Sequence, residues 1–109
     1  MQKKKIKVGI VGISFGMEFV PIYQRHPNVE SVAVADYNRS LLATCAEKFH
    51  IPAEDCYTNL DDMLQDTSID AIHICTPPAS HAELSIKALN AGRHCGCTIP
   101  MGMSIDELY

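Results

Sequence analysis

Ile6-Lys7-Val8-Gly9-Ile10-Val11-Gly12-Ile13-Ser14-Phe15-Gly16-Met17 is the stretch on which the fold turns. Its first six residues are β-branched residues and glycine interrupted only by Lys7, the pattern of a strand covered on both faces. The run stops at Gly12, and a helical pattern follows over residues 15–25. Strand, tight turn and helix therefore succeed one another without a linker. Pro21 lies inside the helical stretch and removes one backbone donor, which predicts a kink there.

Further along the chain the pattern keeps changing period. Val29–Ala35 reads as a second strand. Asn38 stands where it can cap the next helix, along which Leu41, Cys45 and Phe49 recur every four residues. A short third strand is expected over residues 55–57. Asn59 then caps a short helix whose first turn carries Asp61 and Asp62, well placed against the helix dipole. A fourth strand is expected over residues 71–75, stopped by Thr76-Pro77-Pro78. The helix after it presents Ala82, Ile86 and Leu89 along one face. Gly92 is placed to end it in the left-handed conformation, ahead of a fifth strand over His94–Cys97. Strands alternating with helices imply a parallel sheet with right-handed crossovers and helices on both faces.

Composition agrees with one soluble α/β domain: 109 residues, 47% hydrophobic and 20% charged. No apolar run reaches the ~18 residues of a membrane span. Lys3, Lys4 and Lys5 precede a short β-branched stretch without a small-residue cleavage site, so they read as a solvated lead-in to the first strand and not as a signal peptide. The net charge of −4, with its only basic cluster at a terminus, gives no reason to expect nucleic acid or membrane as a partner. Five cysteines, an odd number with no export signal, point to reduced thiols and a cytoplasmic location. Near the end, Ser104-Ile105-Asp106-Glu107 forms a capping box with only Leu108 and Tyr109 behind it. One turn of helix is not stable alone, so residues 1–109 are expected to be one domain, incomplete at its C-terminus. Apolar surface left exposed by the missing portion would favour self-association.

The turn at Gly12 carries the first chemical signal. A strand-to-helix turn that cradles a dinucleotide pyrophosphate follows G-x-G-x-x-G/A. Gly12 fills the first position, Ser14 stands at the second and Met17 at the third, while Gly16 lies one residue early. Backbone amides of the loop Gly12, Ile13, Ser14, Phe15 and Gly16 would point from a helix start toward an anion. The plainer account is an ordinary turn that needs glycine. Asp36 weighs against it, ending the second strand about 20 residues past the loop, where a carboxylate accepts both adenosine ribose hydroxyls. Its charge would repel a 2′-phosphate, which favours NAD over NADP, with Arg39 nearby as a partial counter-charge. Together these features describe a Rossmann-type doubly wound parallel sheet of about five strands, truncated and without a second domain.

Four stretches give the chain a wider resemblance. They are Lys7-Val8-Gly9-Ile10-Val11-Gly12 with its loop, Val32-Ala33-Val34-Ala35-Asp36, Ile74-Cys75-Thr76-Pro77-Pro78 with His81, and Gly92-Arg93-His94 leading to Pro100-Met101. In this order they resemble the N-terminal half of the glucose–fructose oxidoreductase / inositol dehydrogenase / rhizopine-catabolism family. The resemblance implies a two-domain oxidoreductase roughly three times this length. The first domain would bind NAD(P), and the second would supply most contacts to a sugar or polyol whose hydroxyl exchanges hydride with nicotinamide. It places Thr76, Pro77, Pro78 and His81 on the path to the nicotinamide, with Gly12 to Gly16 at the pyrophosphate and Asp36 at the ribose. The family usually carries Glu-Lys-Pro where this chain reads Thr98-Ile99-Pro100. Isoleucine cannot move a proton, so an acid or base would come from elsewhere, or the protein keeps the fold as a nucleotide-binding or interaction protein without the chemistry. The chain by itself is expected to bind NAD weakly and to catalyse nothing, so no residue is assigned a catalytic role.

Two other features invite chemistry. Cys95-Gly96-Cys97, beside His94 and with Cys75 and His81 elsewhere in the chain, has the wrong spacing for the usual C-x₂-C metal site and reads as strand packing, so no metal ligand is assigned. His73 reads as a hydrogen-bonded strand histidine, and Met101 and Met103 as gap-fillers.

Overall fold

The computed structural model describes residues 5–76 and 81–97, apart from the side chains of Phe15, His81 and Cys97. Pro77, Pro78, Ile99, Pro100, Met101, Met103 and the capping box at 104–107 lie outside the described residues. Among the described residues five parallel strands form one sheet: β1 (Ile6–Val11), β2 (Val29–Ala35), β3 (Cys56–Tyr57), β4 (Ala71–Ile74) and β5 (His94–Cys97), in the order β3-β2-β1-β4-β5. The chain winds outward from β1 through β2 to β3, then crosses back to β4 and winds the other way. That reversal beside β1 creates a crevice at the carboxyl ends of the strands.

The strands expected at Ile6–Val11, Val29–Ala35 and His94–Cys97 form with those bounds. β4 stops one residue before the expected end, although Cys75 still donates its amide to Val11 O at 2.7 Å. The third strand is shorter than expected. Pro52 opens a 3-10 turn at Ala53–Asp55, closed by Asp55 N to Pro52 O at 2.9 Å, so Asp55 falls outside the strand.

The first helix also departs from its expected form. It begins at once after Gly12 as α1 (Ile13–Gly16), tightens into a 3-10 turn at Met17–Phe19, and resumes as α2 (Val20–Arg25). Pro21 sits in the first turn of α2, where its missing donor costs nothing. The irregularity therefore lies ahead of the proline: Val20 N bonds Met17 O, the i→i−3 spacing of the tighter helix.

α3 (Arg39–Phe49) starts as expected, with the Asn38 side chain accepting the Leu41 amide at 3.0 Å. Its inward face is centred on Leu42 and Cys45, with Leu41 and Phe49 only partly covered. Asn38→Ala should lower stability by about 1 kcal/mol in urea unfolding, whereas Asn38→Asp should remain within a few tenths. Equal losses in both would show that the cap contributes nothing. Asn59 caps α4 (Leu60–Met63) in the same way, accepting from Asp62 N at 2.7 Å.

The sheet has two cores. On one face Val8, Ile10, Val32 and Val34 pack under Ile13, Val20, Leu42 and Cys45 from the helices between β1 and β3. On the other face Val11, Ala33, Ala35, Ile72 and Ile74 pack under Leu60, Met63, Ile69 and Ala88. α5 (His81–Asn90) turns Ala82, Ser85 and Ala88 inward, while Ile86 and Leu89 stay 52% and 57% exposed. Of the expected Ala82-Ile86-Leu89 face only Ala82 is buried. Small side chains at the contact let the helix lie close to the sheet. Gly92 (φ 80°) ends the helix as expected.

Arg93 shows why a basic residue follows that glycine. Its guanidinium donates to the carbonyls of Ile69 (3.0 Å), Leu64 (2.9 Å), Asp66 (2.8 Å) and Ala91 (2.9 Å). One side chain thus ties three carbonyls of the connection between α4 and β4 to the end of α5.

Candidate functional site

A cavity of about 400 Å³ opens in the crevice. Val11, Gly12, Ala35, Asp36, Cys75 and Thr76, all at or just beyond the carboxyl ends of the three central strands, form its floor and rear wall. The shape of this end follows from two glycines. Gly12 has φ 86°, and a Cβ there would stand 2.8 Å from Thr76 N and 2.9 Å from Cys75 C. The turn therefore needs both left-handed backbone and the absence of a side chain.

Gly16 carries the close-packing role that the sequence pattern gives to Met17. A Cβ on Gly16 would meet Ile10 Cγ2 at 2.7 Å and Cys75 Cβ at 3.1 Å, while Met17 packs beside the first core. The loop is thus one residue shorter than G-x-G-x-x-G, with three residues between its outer glycines. The contraction brings the helix start directly onto the turn, and Gly16 N bonds Gly12 O at 3.0 Å.

Asp36 is held in place before any ligand arrives. Oδ2 accepts the Ile13 amide at 2.9 Å, and Oδ1 accepts the Asn38 amide at 2.8 Å. A carboxylate has about four acceptor positions, so each oxygen keeps one for a further donor. Two vicinal hydroxyls fit that arrangement. The Ile13 side chain is fully buried in the first core, and only its amide contributes here. Ser14 lines the cavity with its side chain exposed. Thr76 lines it as well.

The other expected residues are less directly placed. Arg39 is exposed in the first turn of α3 and is not part of the cavity wall. Pro77 and Pro78 lie outside the described residues, as do the side chains of Phe15 and His81. The cavity also contains residues that sequence reasoning did not single out for it. They are Tyr37 from the turn after β2, Asn59 and Leu60 at the start of α4, and Glu83, Leu84 and Lys87 from α5. Adjacency to Asp36 was the one signal for Tyr37. Nothing local marks the others, because strand order brings α4 and α5 to this rim. Lys87 spans the two helices, with its Nζ 3.3 Å from Asp61 and 3.9 Å from Glu83.

His73 lies half-buried in β4, with Nδ1 2.8 Å from Tyr23 Oη and its ring tilted against Phe19. Burial pulls its pKa below the usual imidazole value, and it does not line the cavity. Burial also pushes the Cys45 thiol up to about 11, with Cys56 adding to the shift. Cys45, Cys56 and Cys95 are free thiols. Among the described residues no three His, Cys, Asp or Glu side chains gather as a metal site requires, and no helix is long and apolar enough to cross a membrane.

At the opposite end of the sheet lies a charged cluster the sequence did not announce. Lys7 Nζ reaches Asp55 at 2.6 Å and Asp66 at 3.0 Å, and Tyr57 Oη donates to Asp66 at 3.3 Å. Standing at the far end of the sheet from the cavity, it bears on stability and not on the site.

Comparison with known proteins agrees with this geometry. The sequence matches the oxidoreductase family Gfo/Idh/MocA, NAD-binding Rossmann fold, over residues 6–109. It is 34% identical over 105 residues to the uncharacterized oxidoreductase YrbE of Bacillus subtilis, covering 95% of this chain and 30% of that protein. It is 30% identical over 115 residues to a glycosyl hydrolase family 109 protein of Saccharopolyspora erythraea, covering 95% of this chain and 24% of that protein. The fold superimposes on scyllo-inositol dehydrogenase of Lactobacillus casei, solved with NAD(H) and scyllo-inositol, at a TM-score of 0.84 and 27% identity, over 96% of this chain and 31% of that one. The chain thus spans about 30% or less of the length of these relatives. With five parallel strands, a glycine turn at the switch point and an acidic residue closing β2, the chain belongs to the Gfo/Idh/MocA oxidoreductase family, whose NAD-binding Rossmann fold it carries.

Proposed function

We propose that the cavity takes the adenosine half of NAD and that the chain serves as the cofactor-holding part of an oxidoreductase acting on a sugar or polyol hydroxyl. The observation that carries this reading is the Asp36 carboxylate, pinned by two backbone amides with one acceptor position left on each oxygen. Those positions suit the 2′- and 3′-hydroxyls of a ribose and oppose a 2′-phosphate. Gly12, Ile13, Ser14, Phe15 and Gly16 would hold the pyrophosphate, where a bare turn lets phosphate approach backbone. Thr76, Pro77, Pro78 and His81 would continue toward the nicotinamide, and Arg39 would stand near the ribose edge.

Bound NAD would supply the hydride acceptor. The residues of this chain bind and orient it, and the substrate contacts would come from the remainder of a longer protein. Ile99 has no proton to give, so the group that handles the hydroxyl proton would also lie there. That same residue favours a second reading, in which the protein retains the nucleotide site without the hydride chemistry. The similarity to a family named for glycosyl hydrolysis fits either case, since the part in common is this domain. We place the protein in the cytoplasm, where its thiols remain reduced, and expect it to self-associate through the exposed Ile22, Ile86 and Leu89.

Calorimetric titration of the chain with NAD and NADP tests the cofactor reading. NAD should bind without turnover and NADP more weakly. Asp36→Ala should weaken NAD by roughly tenfold or more and narrow the gap between the two, given the worth of hydrogen bonds to a charged group. NADP bound as tightly as NAD would overturn the role of Asp36. For the full-length protein, NADH formation over a panel of polyols decides the reaction. Tight NAD binding with no turnover on any of them would establish the second reading.

A further inference from the structure

The sheet is covered unevenly. Helices lie over both faces of β1 and β2, where the two cores meet them. Over β4 and β5 the cover is one-sided among the described residues, with Ile72, Ile74 and Cys95 packed on the side of α4 and α5. The opposite face carries Ala71, His73, His94 and Gly96, set side by side by the pairs Ala71↔His94 and His73↔Gly96. His94 and Gly96 are exposed, and a Cβ on Gly96 would meet nothing within 4 Å. Phe19 and Tyr23 reach this face as far as His73, with ring centroids 4.7 and 5.8 Å from it. Tyr23 Oη takes His73 Nδ1 at 2.8 Å, while Nε2, on the far side of the ring, has no partner among the described residues.

Strands of a parallel sheet are buried on both faces almost without exception. Right-handed crossovers carry each connection from β4 outward over the α5 face, so a further strand beside β5 would leave this patch as bare as before. Its cover must come from a part of the protein distant in sequence, and the chain spans about 30% or less of the length of its relatives. We propose that a helix from the remainder of the longer protein seats across β4 and β5 here, with apolar side chains over Ala71 and Gly96 and a polar group bonded to His73 Nε2. The small residues on the sheet let a helix lie close, as the small residues of α5 do on the other face. The inference rests on the chain being part of a longer oxidoreductase and is independent of the nucleotide reading of the cavity. Its consequence is positional. β4 leads from His73 straight to Cys75 and Thr76 on the cavity wall, so the seat would hold the substrate-contacting portion in fixed relation to the cofactor end.

The test compares the 109-residue chain with the full-length protein, both without nucleotide. Under diethyl pyrocarbonate, mapped by mass spectrometry, His94 should react about as readily as the exposed His50 in the chain. In the full-length protein it should react roughly tenfold or more slowly than His50, through local opening alone. Gly96→Arg gives a second measure. Its side chain enters open space in the chain and should leave the melting midpoint nearly unchanged, but in the full-length protein it meets the seated helix and should lower the midpoint by several degrees. A photo-reactive phenylalanine analogue in place of His94 should capture full-length residues three or four apart, the spacing of one helix face. Equal reactivity of His94 in the two proteins would overturn the proposal, as would an unchanged midpoint for Gly96→Arg in the full-length protein. Capture of residues two apart would put a strand there and overturn it as well. Protection that disappears on dilution would seat a second copy on the patch, with the same result. Because no nucleotide is present, failure of NAD to bind would leave each of these outcomes as it is.

Discussion

Gly12→Ala should destabilise the chain by about 3–5 kcal/mol and abolish nucleotide binding with it. Two costs combine. A backbone at φ 86° strains any residue with a Cβ. The added methyl would also press on Thr76 N and Cys75 C at 2.8 and 2.9 Å, and these are backbone atoms that no rotamer change can move aside. Nor can the turn shift away, because Gly12 N is tied to Ala35 O at 2.8 Å and Cys75 N to Val11 O at 2.7 Å. The two strands flanking β1 grip the position from both sides. Against a total stability of about 5–15 kcal/mol, such a loss leaves little folded margin. Urea unfolding measures it, and a loss below about 1 kcal/mol would disprove the close approach. Gly16→Ala makes a milder contrast: its backbone is ordinary helix, but its nearest obstacles, Ile10 Cγ2 and Cys75 Cβ, lie close to their own backbones in a packed core, so the loss should be about 2–3 kcal/mol.

The second large effect belongs to Lys7. Lys7→Met should cost about 2–4 kcal/mol, because it leaves Asp55, which is buried, and Asp66, which is partly buried, without their shared cation. The cluster also sets the pH dependence of folding. Bonds from Ser68 hold the Asp66 carboxyl well below the usual carboxylate range, helped by Lys7 and opposed by burial. A depressed carboxylate stabilises the fold above its unfolded pKa, and that contribution is lost as pH falls through the folded value. Burial lowers the Lys7 ammonium, but hydrogen bonds and attraction from Asp55 and Asp66 outweigh it and leave the pKa raised. A raised lysine stabilises fully below its unfolded pKa and loses that contribution as pH climbs through the folded value. These two groups should therefore give a plateau between roughly pH 5 and 10, with stability falling on either side. Urea midpoints at about pH 3, 7 and 11 should show both flanks in the native chain and shallower ones in Lys7→Met. Unaltered flanks in the variant would show that the cluster does not govern the pH response.

Elements defined by short-range chemistry were legible. β1, β2 and β5 follow from β-branched and apolar runs bounded by turn residues, and the helix starts at Asn38 and Asn59 follow from side chains that accept nearby amides. Where the reading slipped, a contact distant in sequence had intervened. Asp55 left the expected strand for a 3-10 turn, and its carboxylate serves Lys7, 48 residues away. The buried face of α5 passed from Ile86 and Leu89 to Ser85 and Ala88, because closeness to the sheet governed the contact there and hydrophobicity alone did not. Arg93, read as part of a family signature, holds three carbonyls of the connection between α4 and β4, which no local pattern reveals.

The candidate site divides along the same line. Gly12 and Asp36 could be named from the sequence because each answers a local requirement: a left-handed turn after a strand, and an acid closing the next one. Period, caps and turns likewise determined an α/β chain with parallel strands, since these depend on residues within a few positions of one another. Tertiary structure alone decided that Gly16 takes the packing role given to Met17, through its approach to Ile10 and Cys75. It alone brought Tyr37, Leu60, Leu84 and Lys87 around one cavity. The physical reason is the strand order. Only when the chain reverses beside β1 do segments fifty residues apart share a rim, and no local propensity encodes that distance.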